Sequence, residues 1–198
     1  MLYNKHNLDI VKIVNRKSTR EELKGVLFTK DKTVATDAIR LLEVSVPQDV
    51  KAEDFPQVEG SSAMRGCEPF LLNAQWIKDR LSVPQVKTMP VLNHAAVKHI
   101  HDNKVEFLTT HDGVTAELTL IPRIIEKFPT YEQLFPTKEA TMTLIMDGEK
   151  LAELLKVMSA LHNQITIKVY GKDEAVMLQC EDKTHKQGAR AVMMPIRT

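Results

Sequence analysis

One pattern recurs three times along the chain: an amphipathic helical stretch followed by strands joined through short polar turns. A chain of 198 residues that repeats such a unit is confined to α+β architectures, each unit stacking its apolar face on a neighbour. In the first copy, apolar positions 8, 11 and 14 with 10 and 13 are helically spaced over 7–15, and Asn7 reads as the N-cap. Strands are expected over 25–29, 33–36 and 40–46, the last stopped by Pro47. The second copy offers a strand at 70–72, a helix at 74–81 capped by Asn73, and strand pieces at 91–92 and 97–100. Its hairpin, 104–110 with 114–121, is expected to turn tightly at His111-Asp112-Gly113, because an Asp-Gly pair favours positive φ. The third copy reads as a strand at 140–146 and a helix from N-cap Asp147 to about His162, with an apolar stripe at 151, 154, 155, 158 and 161. A hairpin, 164–170 with 175–180, and a last strand at 189–196 follow.

Two breaks separate the copies. Residues 48–69, with Gly60-Ser61-Ser62, read as a long surface connection. Residues 128–136 carry prolines at both ends, and Phe128, Tyr131, Leu134 and Phe135 between them are too apolar for a solvated tether, so an ordered, packed linker is expected. The domain reading is therefore two repeats over 1–127, a linker over 128–136 and a single C-terminal repeat over 137–198. Lys+Arg 27 against Asp+Glu 26 excludes a uniformly basic coat but not a local basic face. Cys67 and Cys180 form no C-x-x-C pair, so reduced thiols and a cytoplasmic location are expected. No apolar run reaches the ~18–20 residues that cross a bilayer, and no membrane partner is expected.

Four motifs in this order resemble the bacterial DNA polymerase III β subunit, the sliding clamp. They are Leu23-Lys24-Gly25-Val26-Leu27-Phe28; Val34-Ala35-Thr36-Asp37-Ala38-Ile39-Arg40-Leu41; the linker Phe128-Pro129-Thr130-Tyr131-Glu132-Gln133-Leu134-Phe135-Pro136; and the terminus Ala191-Val192-Met193-Met194-Pro195-Ile196-Arg197-Thr198. The resemblance implies a DNA-clamp fold of about three repeats, shortened relative to the family's three domains of two repeats each and lacking the N-terminal domain. Family rings hold twelve repeats, so three per chain would close with four copies. A homo-oligomer is expected, a tetramer slightly ahead of a dimer.

The resemblance also implies a peptide-binding pocket. Its lining is carried over to Leu23, Thr36, Ala38, Ile39, Arg40 and Leu41; to Pro129, Gln133 and Leu134; and to Val192, Met193, Met194, Pro195, Ile196 and Arg197. In the family it receives short peptides of DNA polymerases, the clamp loader and repair proteins. Methionines adapt to varied apolar side chains, and Arg40 or Arg197 would bond peptide carbonyls or a carboxylate. The competing reading makes Val192, Met194 and Ile196 one buried strand face. The family often places Arg or Lys where Gln133 stands, and Leu at the position of Thr198, which implies an altered peptide preference.

Family helices line the ring's hole and touch phosphates without reading bases. Here Lys5, Lys12, Arg16, Lys17, Arg20 and Lys24 face Asp9, Glu21 and Glu22, a local excess of +3 over residues 5–24. Lys78 and Arg80 accompany the second helix, Lys150 and Lys156 the third. A sparse set suits sliding on double-stranded DNA, because many tight phosphate contacts would stall it. For each residue the plain alternative is a solvated helix face. His99, His101, His111 and Asp102 lack an obvious third ligand, so no metal, cofactor or catalytic site is expected. Two readings compete: a ring-forming processivity factor, and a clamp-derived peptide-binding adaptor that closes no ring.

Overall fold

The structure, a computed structural model, describes residues 1–48, 50–56, 68–84, 89–184 and 187–196. It divides into two compact units, Met1–Tyr131 and Glu132–Thr198.

The first unit holds two copies of one β-α-β-β-β unit. The first is β1 (Leu2–Asn4), α1 (Lys5–Asp9), β2 (Gly25–Phe28), β3 (Lys32–Thr36) and β4 (Leu41–Ser45). The second is β5 (Phe70–Asn73), α2 (Ala74–Arg80), β6 (His94–Ile100), β7 (Lys104–Thr109) and β8 (Glu117–Ile124). Together they make one eight-stranded sheet in the order β1-β6-β7-β8-β5-β2-β3-β4. Each copy lends its first strand to the other: β1 pairs antiparallel with β6, and β5 with β2. The register is equivalent at both junctions, Asn4 opposite His94 and Asn73 opposite Gly25. Asn4 and Asn73 then cap the helices that follow, so one residue ends a strand and starts a helix.

The core lies between the helices and one sheet face. Tyr3, Phe28, Phe70 and Phe107 are fully or nearly fully buried there, with Phe28 and Phe70 stacked at 5.1 Å and Tyr3 edge-on to Phe28 at 4.9 Å. Tyr3 keeps its hydroxyl satisfied by donating to Thr29 O at 2.7 Å. On the other face Phe55 seals Leu2, Ala96 and Leu108, while Phe128 and Tyr131 seal Val34 and Leu71. The connection after the first copy is therefore not purely surface, because Phe55 is a core residue; Gly60-Ser61-Ser62 and Cys67 lie outside the described residues.

The second unit holds α3 (Gly148–Leu161), β9 (Thr166–Lys168), β10 (Val176–Asp182) and β11 (Gln187–Met193), with sheet order β11-β10-β9. Asp147 caps α3 by accepting from Glu149 N and Lys150 N, both at 3.1 Å. These bonds, that to Lys150 N foremost, hold its carboxyl below the usual range. The stripe Leu151, Leu154, Leu155, Met158 and Leu161 is the buried or half-buried face, as its spacing predicts.

Several local expectations are corrected. Asn4, not Asn7, caps the first helix, which is only five residues long before a 3-10 turn at Ile10–Lys12. Asn7 is instead wholly buried, reaching across to β3 and β4. Pro90–Asn93 is a 3-10 turn rather than a strand. The Asp112 loop runs from Thr110 to Ala116 and is not tight, although Gly113 has φ +78°. The Asp112 carboxylate draws in Val114 N, Thr115 N and the Thr115 hydroxyl and so widens the turn. Residues 140–146 form no strand, and the 164–170 strand shrinks to Thr166–Lys168. The last strand ends at Met193, short of Met194, Pro195 and Ile196. Of the linker aromatics, Phe128 and Tyr131 are buried, but Leu134 and Phe135 are exposed.

Candidate functional site

The β3–β4 hairpin carries the densest part of the expected peptide lining. Asp37 Oδ1 accepts from Ile39 N at 3.0 Å and Arg40 N at 2.6 Å, folding the tip as an Asx turn. Thr36 Oγ1 donates to Arg40 O at 2.8 Å and accepts from Ala38 N at 3.1 Å. The Arg40 guanidinium is forked onto Asp37 Oδ2, at 2.9 Å from Nε and 2.7 Å from Nη2. The backbone N–H of Arg40, then its side chain, lower the Asp37 carboxyl to about 2. Arg40 is thus first a brace for the hairpin, since Asp37 occupies two of its donors.

The braced tip presents Ile39 almost fully to solvent, at 93% exposure, and holds Ala38 at φ +76°. Such a conformation is costly for a residue with a Cβ, and the turn bonds on both sides enforce it. At the base of the hairpin, half-buried Leu41 packs with Val34, Leu71, Phe128 and Tyr131. Lys32 lies 5.3 Å from the Tyr131 ring centre while pairing with Glu43 at 2.6 Å. Half-buried Pro129 sits between the two buried aromatics, and Leu23 is buried on the 3-10 turn Glu21–Lys24.

In the second unit, Gln133 and Leu134 lie on the 3-10 turn Glu132–Leu134, with Leu134 at 66% exposure. Val192, Met194 and Ile196 are more than half exposed, Met193 is half-buried, and Pro195 is buried. The alternative of one buried strand face therefore fails: β11 ends at Met193, and Ile196 N instead donates to Ile145 O at 2.7 Å. Arg197 and Thr198 lie outside the described residues.

The expected DNA-facing residues separate by partner. Lys12 pairs with Asp9 at 2.9 Å, Arg20 with Glu22 at 2.6 Å, Lys24 with Glu21 at 2.5 Å and Lys150 with Asp147 at 3.3 Å. Those pairs are surface contacts of little strength, so the cations remain available to a phosphate. Arg16 donates to Gln75 Oε1 at 3.3 Å, which ties the α1 segment to α2. Arg80 donates to Leu120 O at 2.8 Å and stacks over Trp76 at 5.5 Å. Exposed Lys17, Lys78 and Lys156 and half-buried Lys5 complete the set.

One feature escaped sequence reading. Val11, Lys12, Val14, Asn15, Arg16 and Lys17 line a groove of about 410 Å³ together with Asp37, Ile39 and Arg40. Two sets assigned to separate tasks share one concavity in the first unit, and only the crossing of α1 over the β3–β4 hairpin brings them together. A larger concavity of about 670 Å³ on the β10–β11 hairpin, lined by residues such as His162, Gln179 and Arg190, contains none of the expected site residues.

No cluster of His, Cys, Asp and Glu able to hold a metal exists among the described residues. His101 Nε2 is 2.7 Å from Glu106 Oε1, an ion-pair geometry with the His99 ring at 4.3 Å beside it. No helix among the described residues is long and apolar enough to cross a membrane.

No family model and no curated protein matches the chain. Solved structures do. The Helicobacter pylori β clamp bound to a DNA ligase peptide superposes with a TM-score of 0.69 at 15% identity, over 98% of this chain and 49% of that one. A DNA polymerase sliding clamp from Pseudomonas aeruginosa gives 0.66 at 14% identity, over 98% and 50%. DNA polymerase III subunit beta from Borrelia burgdorferi gives 0.65 at 14% identity, over 98% and 48%. The chain spans about half the length of the solved structures it matches. Along almost its whole length, then, this chain has the fold of the bacterial DNA polymerase sliding clamps.

Proposed function

We propose that the chain is a sliding-clamp-type processivity factor. In this reading it encircles duplex DNA as a homo-oligomer, without regard to sequence, and captures short peptides of polymerase, loader and repair proteins. The observation that carries it is the match of 98% of the chain to clamp structures. The domain reading follows, with two repeats over 1–127, a linker over 128–136 and a third repeat over 137–198. A tetramer is favoured slightly over a dimer by the repeat arithmetic. No reaction is assigned to it: a clamp is held on DNA by topology, and the protein would act in the cytoplasm.

The peptide site is assigned to Leu23, Thr36, Ala38, Ile39, Arg40 and Leu41, with Pro129, Gln133, Leu134 and residues 192–197. The exposed Ile39, Val192, Met194 and Ile196 support it, because apolar side chains left in solvent mark surfaces that bury on binding. The DNA face is assigned to the ten basic residues of the three helical segments, Lys12, Arg16 and Lys17 foremost.

A ring can thread a linear duplex only through an open end. Retention of the protein on linear duplex, lost when both ends are blocked by biotin–streptavidin, is the expected result. Binding that ignores the blocks favours the second reading, an adaptor without a ring, which the short-range neutralisation of Lys12, Arg20 and Lys24 supports.

A further inference from the structure

We propose that the third repeat completes itself by exchanging strands with the third repeat of a second copy of this chain. The template is inside the molecule. In the first unit no repeat pairs its own first strand with its own second; β1 crosses to β6 and β5 to β2. Both crossing strands end at the residue that caps the next helix, Asn4 or Asn73.

The third repeat has the same parts with the crossing left open. Asp147 caps α3, and the preceding residues 140–146 stand where β1 and β5 stand in the earlier copies. Leu144 and Met146 pack on the α3 core, yet the segment belongs to no sheet. β9 is the counterpart of β2 and β6, and it is a sheet edge. Ile167 lies opposite fully buried Leu178, so it faces the helix side, yet it is 57% exposed, and Val169, two residues on, is 44% exposed. The corresponding Val26 and Phe28 on β2, and Ala95 and Val97 on β6, are 0% exposed, because a strand from the other repeat borders each. Val157 on α3 is 74% exposed, whereas the α1 segment and α2 are joined through Arg16 and Gln75.

An unpaired first strand and an unpaired second-strand edge on the same unit are self-complementary. One two-fold operation pairs both at once, which makes a second copy the fitting occupant. It covers Ile167 and Val169, removes an exposed apolar edge and gives a unit of about 60 residues the core it lacks alone. The inference deepens the homo-oligomer proposed above, and its test separates the two.

The test uses the full chain with Cys67→Ser and Cys180→Ala, adding Met146→Cys together with Ile165→Cys, Ile167→Cys or Val169→Cys in three variants. Oxidation is expected to give a covalent dimer on a non-reducing gel in at least one. Separately, Ile167→Glu is expected to at least halve the light-scattering mass while leaving the far-UV circular dichroism unchanged. An oligomer that ignores Ile167→Glu and yields no covalent dimer in any variant overturns the exchange and leaves the ring reading standing. A strict 22.4 kDa monomer at micromolar concentration overturns the exchange and the ring together.

Discussion

Asn7 Nδ2 lies 3.2 Å from Thr33 Oγ1 in the interior of the first unit, and the same amide reaches Val44 O and Ser45 O at 3.1 Å each. Its Oδ1 accepts from Asn4 N at 3.2 Å, closing a capping box at the head of α1. One side chain therefore fixes a helix start to two strands of the sheet. Replacing it by Ala removes these bonds and leaves Val44 O and Ser45 O without a buried donor. Asn7→Ala is expected to lower unfolding free energy by about 2–4 kcal/mol in a urea titration. A loss under ~0.5 kcal/mol would show that water serves those carbonyls equally well.

Ala38 occupies left-handed backbone at φ +76°. Glycine adopts that conformation without the Cβ clash, although it also gains freedom in the unfolded chain. Ala38→Gly is expected to stabilise the protein by about 0.5–1 kcal/mol, read from the denaturation midpoint. Destabilisation would mean that the turn bonds of Asp37 and Thr36 carry no strain.

The Asp37 carboxyl is lowered from 3.8 to about 2 by the N–H groups and side chain of Arg40. A depressed acid contributes stability that is present above its unfolded value and is lost as pH falls through its folded value. The hairpin tip is therefore expected to loosen between pH 3.8 and about 2, seen as a joint titration of the Ile39 and Arg40 amide resonances. In Asp37→Asn that transition should vanish. Its persistence would assign the event to another carboxylate.

Lys12→Glu with Arg16→Glu should weaken retention on duplex DNA and reduce the slope of log affinity against log salt by roughly one for each phosphate no longer neutralised. An unchanged slope would remove both residues from the DNA face.

Ile39 is almost free of packing, so Ile39→Ser should change stability by no more than about 0.5 kcal/mol. Affinity for the DNA ligase peptide carried by the Helicobacter pylori clamp structure should fall at least ~10-fold, as expected for an exposed apolar anchor. Deleting residues 194–198 should abolish that binding. Retained affinity in both variants would place the peptide elsewhere.

Sequence by itself determined the units: three helix starts followed by strands, the α3 stripe at 151, 154, 155, 158 and 161, and the motifs that led to the clamp family. These are local or periodic properties, set by capping chemistry and by which side of a helix or strand is apolar. Tertiary structure decided what local pattern cannot carry. Asn7 looks like a cap until its amide is seen against β3 and β4, and residues 140–146 look like a strand until no neighbouring edge meets them. Ile39, Arg40, Lys12 and Arg16 become one groove only because α1 crosses the β3–β4 hairpin. Pairing across the sheet depends on a partner strand far away in sequence, or in another chain, and a strand pattern without that partner is only the capacity to pair.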